Sequence, residues 1–222
     1  MRPLPSKLQS IIDVPKPTNK VELQRYLGMV NFYHRFLPGI AASLSPLHSL
    51  VAAAKAAKTK LVWDKAAVSA YEKSKEKLFS PVLLAHPRPK AKLTLTTDAS
   101  DIAIGAVLAQ EDGRPLGFFS RKLSAAQQKY SAFDKELLGI KEAIRHFRHM
   151  VEGRQFTVYT DHKPLTLVMP TATSRTPRQE WHLSYISEFK TDIRMSREMR
   201  ARWPTTSPGP SWGPSSRRLT WR

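Results

Sequence analysis

A long amphipathic stretch near the middle of the chain constrains the fold most strongly. Between Ser131 and Val151, apolar residues recur at alternating steps of four and three, at Phe133, Leu137, Ile140, Ile144, Phe147 and Val151. This spacing predicts a helix with one continuous apolar face. Such a face is stable in water only when a second layer of structure covers it.

Short runs with the composition of β-strands lie on both sides of this helix. In chain order they are LTLTTD, IAIGAVLAQ and LGFFSRKL before the helix, and FTVYTD and EFKTDIR after it. Residues 164–168 and 178–185 between the last two runs are predicted to be helical. Strands that alternate in this way with helices predict an α/β or α+β layer fold with a mixed five-stranded sheet and flanking helices.

The chain upstream of the first strand is predicted to form a small helical unit. Thr18 is placed to cap a helix, and the apolar positions that follow at spacings of three and four are Leu23, Tyr26, Leu27, Val30, Tyr33 and Leu37. A second set with helical spacing is Val68, Tyr71 and Leu78. Both sets indicate amphipathic helices rather than strands.

The composition limits the classes of partner and compartment. A net charge of +18 and a pI near 10.4 favour a polyanionic partner, although charge alone would also suit an anionic membrane or a ribosomal partner. The absence of cysteine excludes disulfide scaffolds and thiolate metal sites and fits a reducing compartment. We find neither a secretory signal nor a run of membrane-spanning length. We therefore expect an intracellular protein, cytoplasmic or nuclear and not secreted, with no membrane partner.

Two aspartates occupy similar positions at the ends of predicted strands. Asp98 follows Thr-Thr and Asp161 follows Tyr-Thr. If the two strands are parallel and adjacent, both carboxylates emerge at the edge of the sheet where α/β folds bind ligands. Either aspartate alone is more simply read as the first residue of a turn.

A glutamate on the central helix completes the group. At 100° per residue, Glu136 lies roughly 60° from the centre of the apolar face, at its margin, where burial of a carboxylate is costly. A side chain whose tip reaches water is the alternative for Glu136. Glu142 is predicted to lie opposite the apolar face and to be solvated. Asp98, Glu136 and Asp161 together form an all-oxygen ligand set that suits Mg²⁺ or Mn²⁺.

Three segments of the chain resemble a known family. KLTLTTDASDIAIGAVLAQ, the run from PLGFFSRKL through DKELL to TDHKPL, and SRTPRQEWHLSYISEFKTDIR are similar to the ribonuclease H domain of Gypsy-type LTR retrotransposon polyproteins. The resemblance extends from about Trp63 to Arg194. The upstream PKPTNKVELQRYLGMVNFYHRFLPG resembles the thumb and connection that follow the reverse-transcriptase palm.

The resemblance implies an endonuclease that cuts the RNA strand of RNA–DNA hybrids with two Mg²⁺ ions held by four carboxylates. Asp98, Glu136 and Asp161 match the first three, and the first bridges both ions in the family. His162 is assigned to the strand-to-helix turn rather than to proton transfer. The polymerase core is absent, because the chain contains no Asp-Asp pair. Expected partners are an RNA–DNA hybrid or another duplex, and a reverse transcriptase subunit is also considered.

The end of the chain departs from the family. Relatives continue after the fifth strand to a fourth metal-binding aspartate at the start of a last helix, whereas this chain reads MSREMRARWPTTSPGP, and Asp192 comes too early to substitute. Overlapping codons from Met195 onward permit a His-Val-Pro-Gly to Val-Ala-Asp run in another frame. We therefore interpret residues 195–222 as a disordered, frame-shifted basic tail. The remaining chain is predicted to consist of a thumb and connection unit at 1–62 and a ribonuclease H-like domain at 63–194. The core of that domain is predicted at 91–194, with the last helix missing.

Three functions are compatible with this sequence. The first is an active ribonuclease H, whose activity we expect to be impaired by loss of one metal ligand. The second is a catalytically dead remnant that still binds duplexes. The third is an interaction protein with no nuclease role. Cleavage of a hybrid separates the first from the others, and salt-sensitive duplex binding separates the second from the third.

Overall fold

The computed structural model describes residues 1–57, 59–161 and 176–195. Within these ranges, the first part of the chain is helical. Its helices are α1 (Pro5–Ile12), α2 (Lys20–Phe32), α3 (Ile40–Ser43), α4 (Ser45–Ala53) and α5 (Lys65–Phe79), with a 3-10 turn at His34–Phe36 between α2 and α3. The predicted helical unit is therefore present.

The start of α2 differs by one residue from the prediction. Asn19, not Thr18, is the N-cap, and its side chain accepts a hydrogen bond from the Glu22 backbone N–H. Thr18 instead donates its N–H and its hydroxyl to the Glu22 carboxylate, at 2.7 and 3.0 Å. Both residues can satisfy free backbone donors in the first turn, so sequence alone does not separate their roles.

The helices share one apolar core. Leu23, Tyr26 and Val30 of α2 are fully buried, and Tyr71 and Leu78 of α5 belong to the same cluster. The Tyr26 hydroxyl also lies 2.5 Å from the Ser74 Oγ of α5. Helix α5 thus packs with the helical unit, although it follows the boundary predicted after residue 62. That boundary stays a prediction.

The second part of the chain is built on a five-stranded sheet. Its strands are β1 (Leu93–Ala99), β2 (Ala103–Gln110), β3 (Pro115–Lys122), β4 (Phe156–Thr160) and β5 (Thr191–Met195), in the order β3-β2-β1-β4-β5. Strands β1, β2 and β3 are antiparallel neighbours, whereas β4 runs parallel to both β1 and β5. The predicted mixed sheet with flanking helices is confirmed.

Helices cover one face of this sheet. They are α7 (Ala132–His146), α8 (Arg148–Val151) and α9 (Pro177–Ser187), whereas the short helix α6 (Ala125–Gln128), which precedes α7, has no buried residue. Leu137, Ile140 and Ile144 of α7 are fully buried in a core with β1 and β2. The predicted helix from Ser131 to Val151 is divided at Phe147, whose ψ of 12° leaves the helical range.

The opposite face of the sheet holds the helical unit in place. Phe118 of β3 forms a separate buried cluster with Phe36 and Leu84. The Val82 N–H donates a hydrogen bond to the Phe36 carbonyl at 3.1 Å. The Ala41 N–H of α3 donates a second one to the Ser120 Oγ of β3, also at 3.1 Å. These contacts fix the position of α3 beside β3.

Several predictions fall outside the described residues. They are the helix at 164–168, the role of His162 and the disordered tail, except that Met195 is the last residue of β5. No helix within the described ranges is long and apolar enough to cross a membrane.

We expect Phe118→Ala to destabilise the protein by about 3–5 kcal/mol, because it empties the cluster that joins the sheet to the helical unit. Urea denaturation followed by circular dichroism measures the change. Val62→Ala is the control, because Val62 is 85% exposed and its truncation should change stability by about 0.5 kcal/mol or less. Equal stabilities for the two variants would show that the Phe118 cluster does not join the two parts.

Candidate metal centre

The pairing of β1 with β4 brings the two aspartates together. The strands run parallel, with Leu93 opposite Phe156 and Thr96 opposite Tyr159. Asp98 lies near the end of β1 and Asp161 directly follows β4. Strands β1 and β4 are therefore parallel and adjacent, the condition under which the sequence predicts that the two aspartates meet.

Glu136 approaches the same edge of the sheet from α7. Its Oε1 accepts a hydrogen bond from the Ala99 N–H at 3.0 Å, next to Asp98 in the chain. Oxygen atoms of Asp98, Glu136 and Asp161 all lie within 4.8 Å of one another. Asp98 is exposed, Asp161 is half-buried and Glu136 is only 5% exposed. The structure thus brings all three predicted residues into one cluster.

Burial and the neighbouring carboxylates disfavour the charged form of Glu136. Burial, then Asp161, then Asp98 raise the pKa of Glu136 to about 8, while hydrogen bonds from Ala99 and Thr160 oppose the rise. The Glu136 Oε2 is buried and has no hydrogen-bond partner of good geometry among the described residues. A buried oxygen of this kind is costly unless another group satisfies it.

The cluster fits a divalent cation. Three carboxylates that offer oxygen atoms at close range match the ligands that Mg²⁺ and Mn²⁺ prefer. A cation would also offset the repulsion that raises the pKa of Glu136 and would satisfy its buried Oε2. The residues that could hold the ion are therefore Asp98, Glu136 and Asp161.

An ion pair that the sequence did not indicate supports the cluster. The Lys135 Nζ lies 2.7 Å from the Asp101 Oδ1, which ties the turn after β1 to the first turn of α7. The Lys135 side chain is 10% exposed, whereas that of Asp101 is 94% exposed. Lys135 lowers the pKa of Asp101 through its hydrogen bond and its charge. The available signal was the position of Lys135 next to Glu136.

Glu142 was predicted to be solvated, and this prediction is wrong. Glu142 is 6% exposed, and its carboxylate lies 2.9 Å from both the Lys141 Nζ and an Arg145 guanidinium nitrogen. Burial alone would raise the pKa of Glu142, but Lys141, Arg121 and Arg145 outweigh it and lower the pKa. Trp181 of α9 lies over Lys141 at 4.5 Å, so the outer side of α7 is covered as well.

Comparison with known sequences identifies relatives. Residues 63–158 match a family described as an RNase H-like domain found in reverse transcriptase. The retrovirus-related Pol polyprotein from transposon 297 of Drosophila melanogaster is 34% identical over 200 residues, which is 89% of this chain and 18% of the relative. The transposon Tf2-3 polyprotein of Schizosaccharomyces pombe is 37% identical over 169 residues, which is 73% of this chain and 12% of the relative. The chain therefore spans less than a fifth of these relatives.

Solved structures share the fold. The foamy viral protease-reverse transcriptase in complex with RNA/DNA hybrid has a TM-score of 0.74 at 18% identity, over 99% of this chain and 30% of that chain. The same viral protein in complex with dsDNA has a TM-score of 0.74 at 19% identity, over 87% of this chain and 41% of that chain. The ribonuclease H-like fold expected from the sequence is confirmed.

We expect Glu136→Gln to stabilise the metal-free protein at pH 8. In the unfolded chain the carboxyl ionises near pH 4.5, whereas in the folded protein its pKa is about 8. The folded state therefore loses stability as the pH rises from about 4.5 to 8, by up to several kcal/mol at about 1.4 kcal/mol per pKa unit. Glutamine carries no charge and removes this loss.

Urea denaturation in EDTA at pH 5 and pH 8 measures the difference between the two proteins. The variant should gain stability relative to the original chain between these values. A difference that does not change with pH would show that Glu136 titrates normally.

Proposed function

Because the chain belongs to the Pol polyproteins of LTR retrotransposons and carries the RNase H-like domain of reverse transcriptase, we propose that it hydrolyses the RNA strand of RNA–DNA hybrids. The observation that carries this proposal is the cluster of Asp98, Glu136 and Asp161, with oxygen atoms within 4.8 Å of one another. Each of the three residues comes from a different element, and all three converge at one edge of the sheet. A turn or cap would not require this convergence.

The proposed roles follow from position and burial. Asp98, exposed near the end of β1, would hold the metal together with the buried Glu136 and the half-buried Asp161. When bound by these residues, Mg²⁺ would supply activation of a water molecule and stabilisation of the leaving oxygen. Glu136 must give up its proton for the ions to bind. The Ala99 N–H, which donates to its Oε1, fixes the orientation of the carboxylate.

The proposed substrate rests on charge and on the structural neighbours. Formal charge totals +13 over residues 1–194, apart from the +5 carried by six arginines and one glutamate further on. A stretch of chain with this positive charge favours a phosphate backbone as partner. The similar foamy viral protein is described in complex with dsDNA and with RNA/DNA hybrid. We extend this binding to the present chain, with residues 1–62 acting as thumb and connection.

Duplex binding without cleavage is the second candidate. The sequence after β5 lacks the aspartate that the family resemblance implies as fourth metal ligand. Three carboxylates offer fewer oxygen ligands for a second metal ion than four would. We therefore propose that hydrolysis, the first candidate function, is slow, and that the second candidate function is duplex binding with no hydrolysis at all. We also propose a reverse transcriptase subunit as a partner, because the relatives are retrovirus-related Pol polyproteins.

We expect Asp98→Asn to reduce Mg²⁺-dependent cleavage of a labelled RNA–DNA hybrid by about 100-fold or more. Loss of this charge removes several kcal/mol of metal-assisted stabilisation, and each 1.4 kcal/mol is a factor of about ten. Asp192→Asn is the matched control, since Asp192 is an exposed aspartate of β5 paired with Arg194. It should cleave at the original rate.

Each outcome of this assay is informative. Undiminished cleavage by Asp98→Asn would assign the activity to another site or another protein. If the original chain binds the hybrid but does not cut it in Mg²⁺ or Mn²⁺, the second candidate function holds.

We expect duplex affinity to fall linearly with salt on logarithmic axes and to be independent of base sequence, because phosphate contacts release counterions. Removal of residues 196–222 should weaken binding without abolishing it, because +13 of the charge lies before them. Fluorescence anisotropy with a labelled duplex between low and physiological salt measures both effects. A shortened chain that binds no duplex at low salt would place the binding surface in the removed segment.

A further inference from the structure

A groove of about 580 Å³ lies between the helical unit and the sheet. Gly39 and Ala42 line it on the side of α3, Ser69 and Ala70 on α5, and Gly105 on β2. These side chains are small, so an extended chain in the groove can approach the protein backbone closely. A ligand in the groove would therefore lie close to the backbone of both parts of the chain.

The groove reaches the carboxylate cluster. Asp98 and Ser100 are among the residues that line it, together with Ser120 of β3. Ser120 is also the residue whose Oγ accepts from the Ala41 N–H, so the two walls are held together at this point. A ligand that occupies the groove would therefore have part of its length beside the proposed metal ligands.

Two lysines of α5 supply positive charge to the same groove. Lys73 is exposed, and Lys77 is half-buried with its Nζ 3.0 Å from both the Pro38 carbonyl and the Ser43 Oγ. These bonds hold the Lys77 ammonium against the groove wall. Burial and the charge of Lys73 lower the pKa of Lys77. An anion between the two lysines would relieve this repulsion.

The charge distribution selects the ligand. Among the described residues that line the groove, Asp98 is the one acid, and we have assigned it to metal binding. An occupant thus meets cations along the groove and a metal-binding group within it. A phosphodiester chain satisfies both, because its charges repeat along its length and one of its phosphates is the reacting group.

We propose that this groove binds the backbone of the RNA strand of the hybrid, with Lys73 and Lys77 contacting phosphates beside the one that is cut. The inference rests on the proposed function and specifies which strand the chain holds and where. Phosphate contacts position a strand without reading its bases, so this contact is independent of sequence.

Charge reversal of one groove lysine tests the proposal. Lys73→Glu should raise the Kd for a hybrid several-fold. It should also make the dependence of log affinity on log salt less steep, by about 1 in the magnitude of the slope. Lys65→Glu is the matched control, because Lys65 is an exposed residue of the same helix that does not line the groove and the change in net charge is identical. Thermal denaturation of both variants checks that they fold. Equal losses of affinity would overturn the proposal.

Site-specific crosslinking tests which strand occupies the groove. The chain contains no cysteine, so Lys73→Cys can be labelled at a single position with a photoactivatable aryl azide. We expect crosslinks to the RNA strand at a fixed distance from the cleavage position, and none of this pattern from Lys65→Cys. Crosslinks to the DNA strand alone, or equal and scattered crosslinks from both variants, would overturn the proposal.

The two proposals fail differently. Cleavage that depends on Asp98 but occurs without RNA crosslinks from Lys73→Cys would overturn the groove and leave the nuclease function intact. Crosslinks to the RNA strand from Lys73→Cys but not from Lys65→Cys, without any cleavage, would support the groove and overturn the nuclease function.

Discussion

The parallel pairing of β1 with β4 is the constraint on which the rest of the site depends. Two aspartates far apart in the chain meet only because these strands end at the same edge of the sheet. The pairing is itself held by burial, since Leu93 and Leu95 of β1 and Phe156 and Val158 of β4 lie in one core. Apolar packing therefore determines where the carboxylates emerge, and the cluster contributes repulsion rather than stability.

Helix α7 buries both an apolar face and a carboxylate, and these two have opposite effects on stability. Its apolar face is buried against the sheet, which requires a close fit, and the same rigid packing carries Glu136 into a position where an uncompensated carboxylate is costly. The cost is tolerated because the apolar residues of the helix contribute far more burial than one carboxylate loses. Functional sites commonly concentrate such unfavourable groups, since a ligand later compensates them.

Docking of the helical unit against the sheet forms a groove beside the carboxylate cluster. The cluster of Phe36, Leu84 and Phe118 places α3 and α5 beside the sheet, so that lysines of one unit and Asp98 of the carboxylate cluster line the same groove. The groove lysines belong to the helical unit and Asp98 belongs to the sheet, so neither part alone supplies both. A strand of nucleic acid in the groove would contact both, which links the fold of the first part to the chemistry of the second.

The sequence by itself determined the order of the elements and the helical and sheet-forming segments, and it singled out Asp98, Glu136 and Asp161 as candidate metal ligands. These follow from local periodicity and from residue type at strand ends, which do not depend on distant parts of the chain. The tertiary structure alone decided that Glu142 is buried, because the solvation of a helix face depends on what packs against it, here α9. It also decided the strand pairing and the lysine-lined groove, because both arise between segments distant in sequence, where local pattern carries no information on distance.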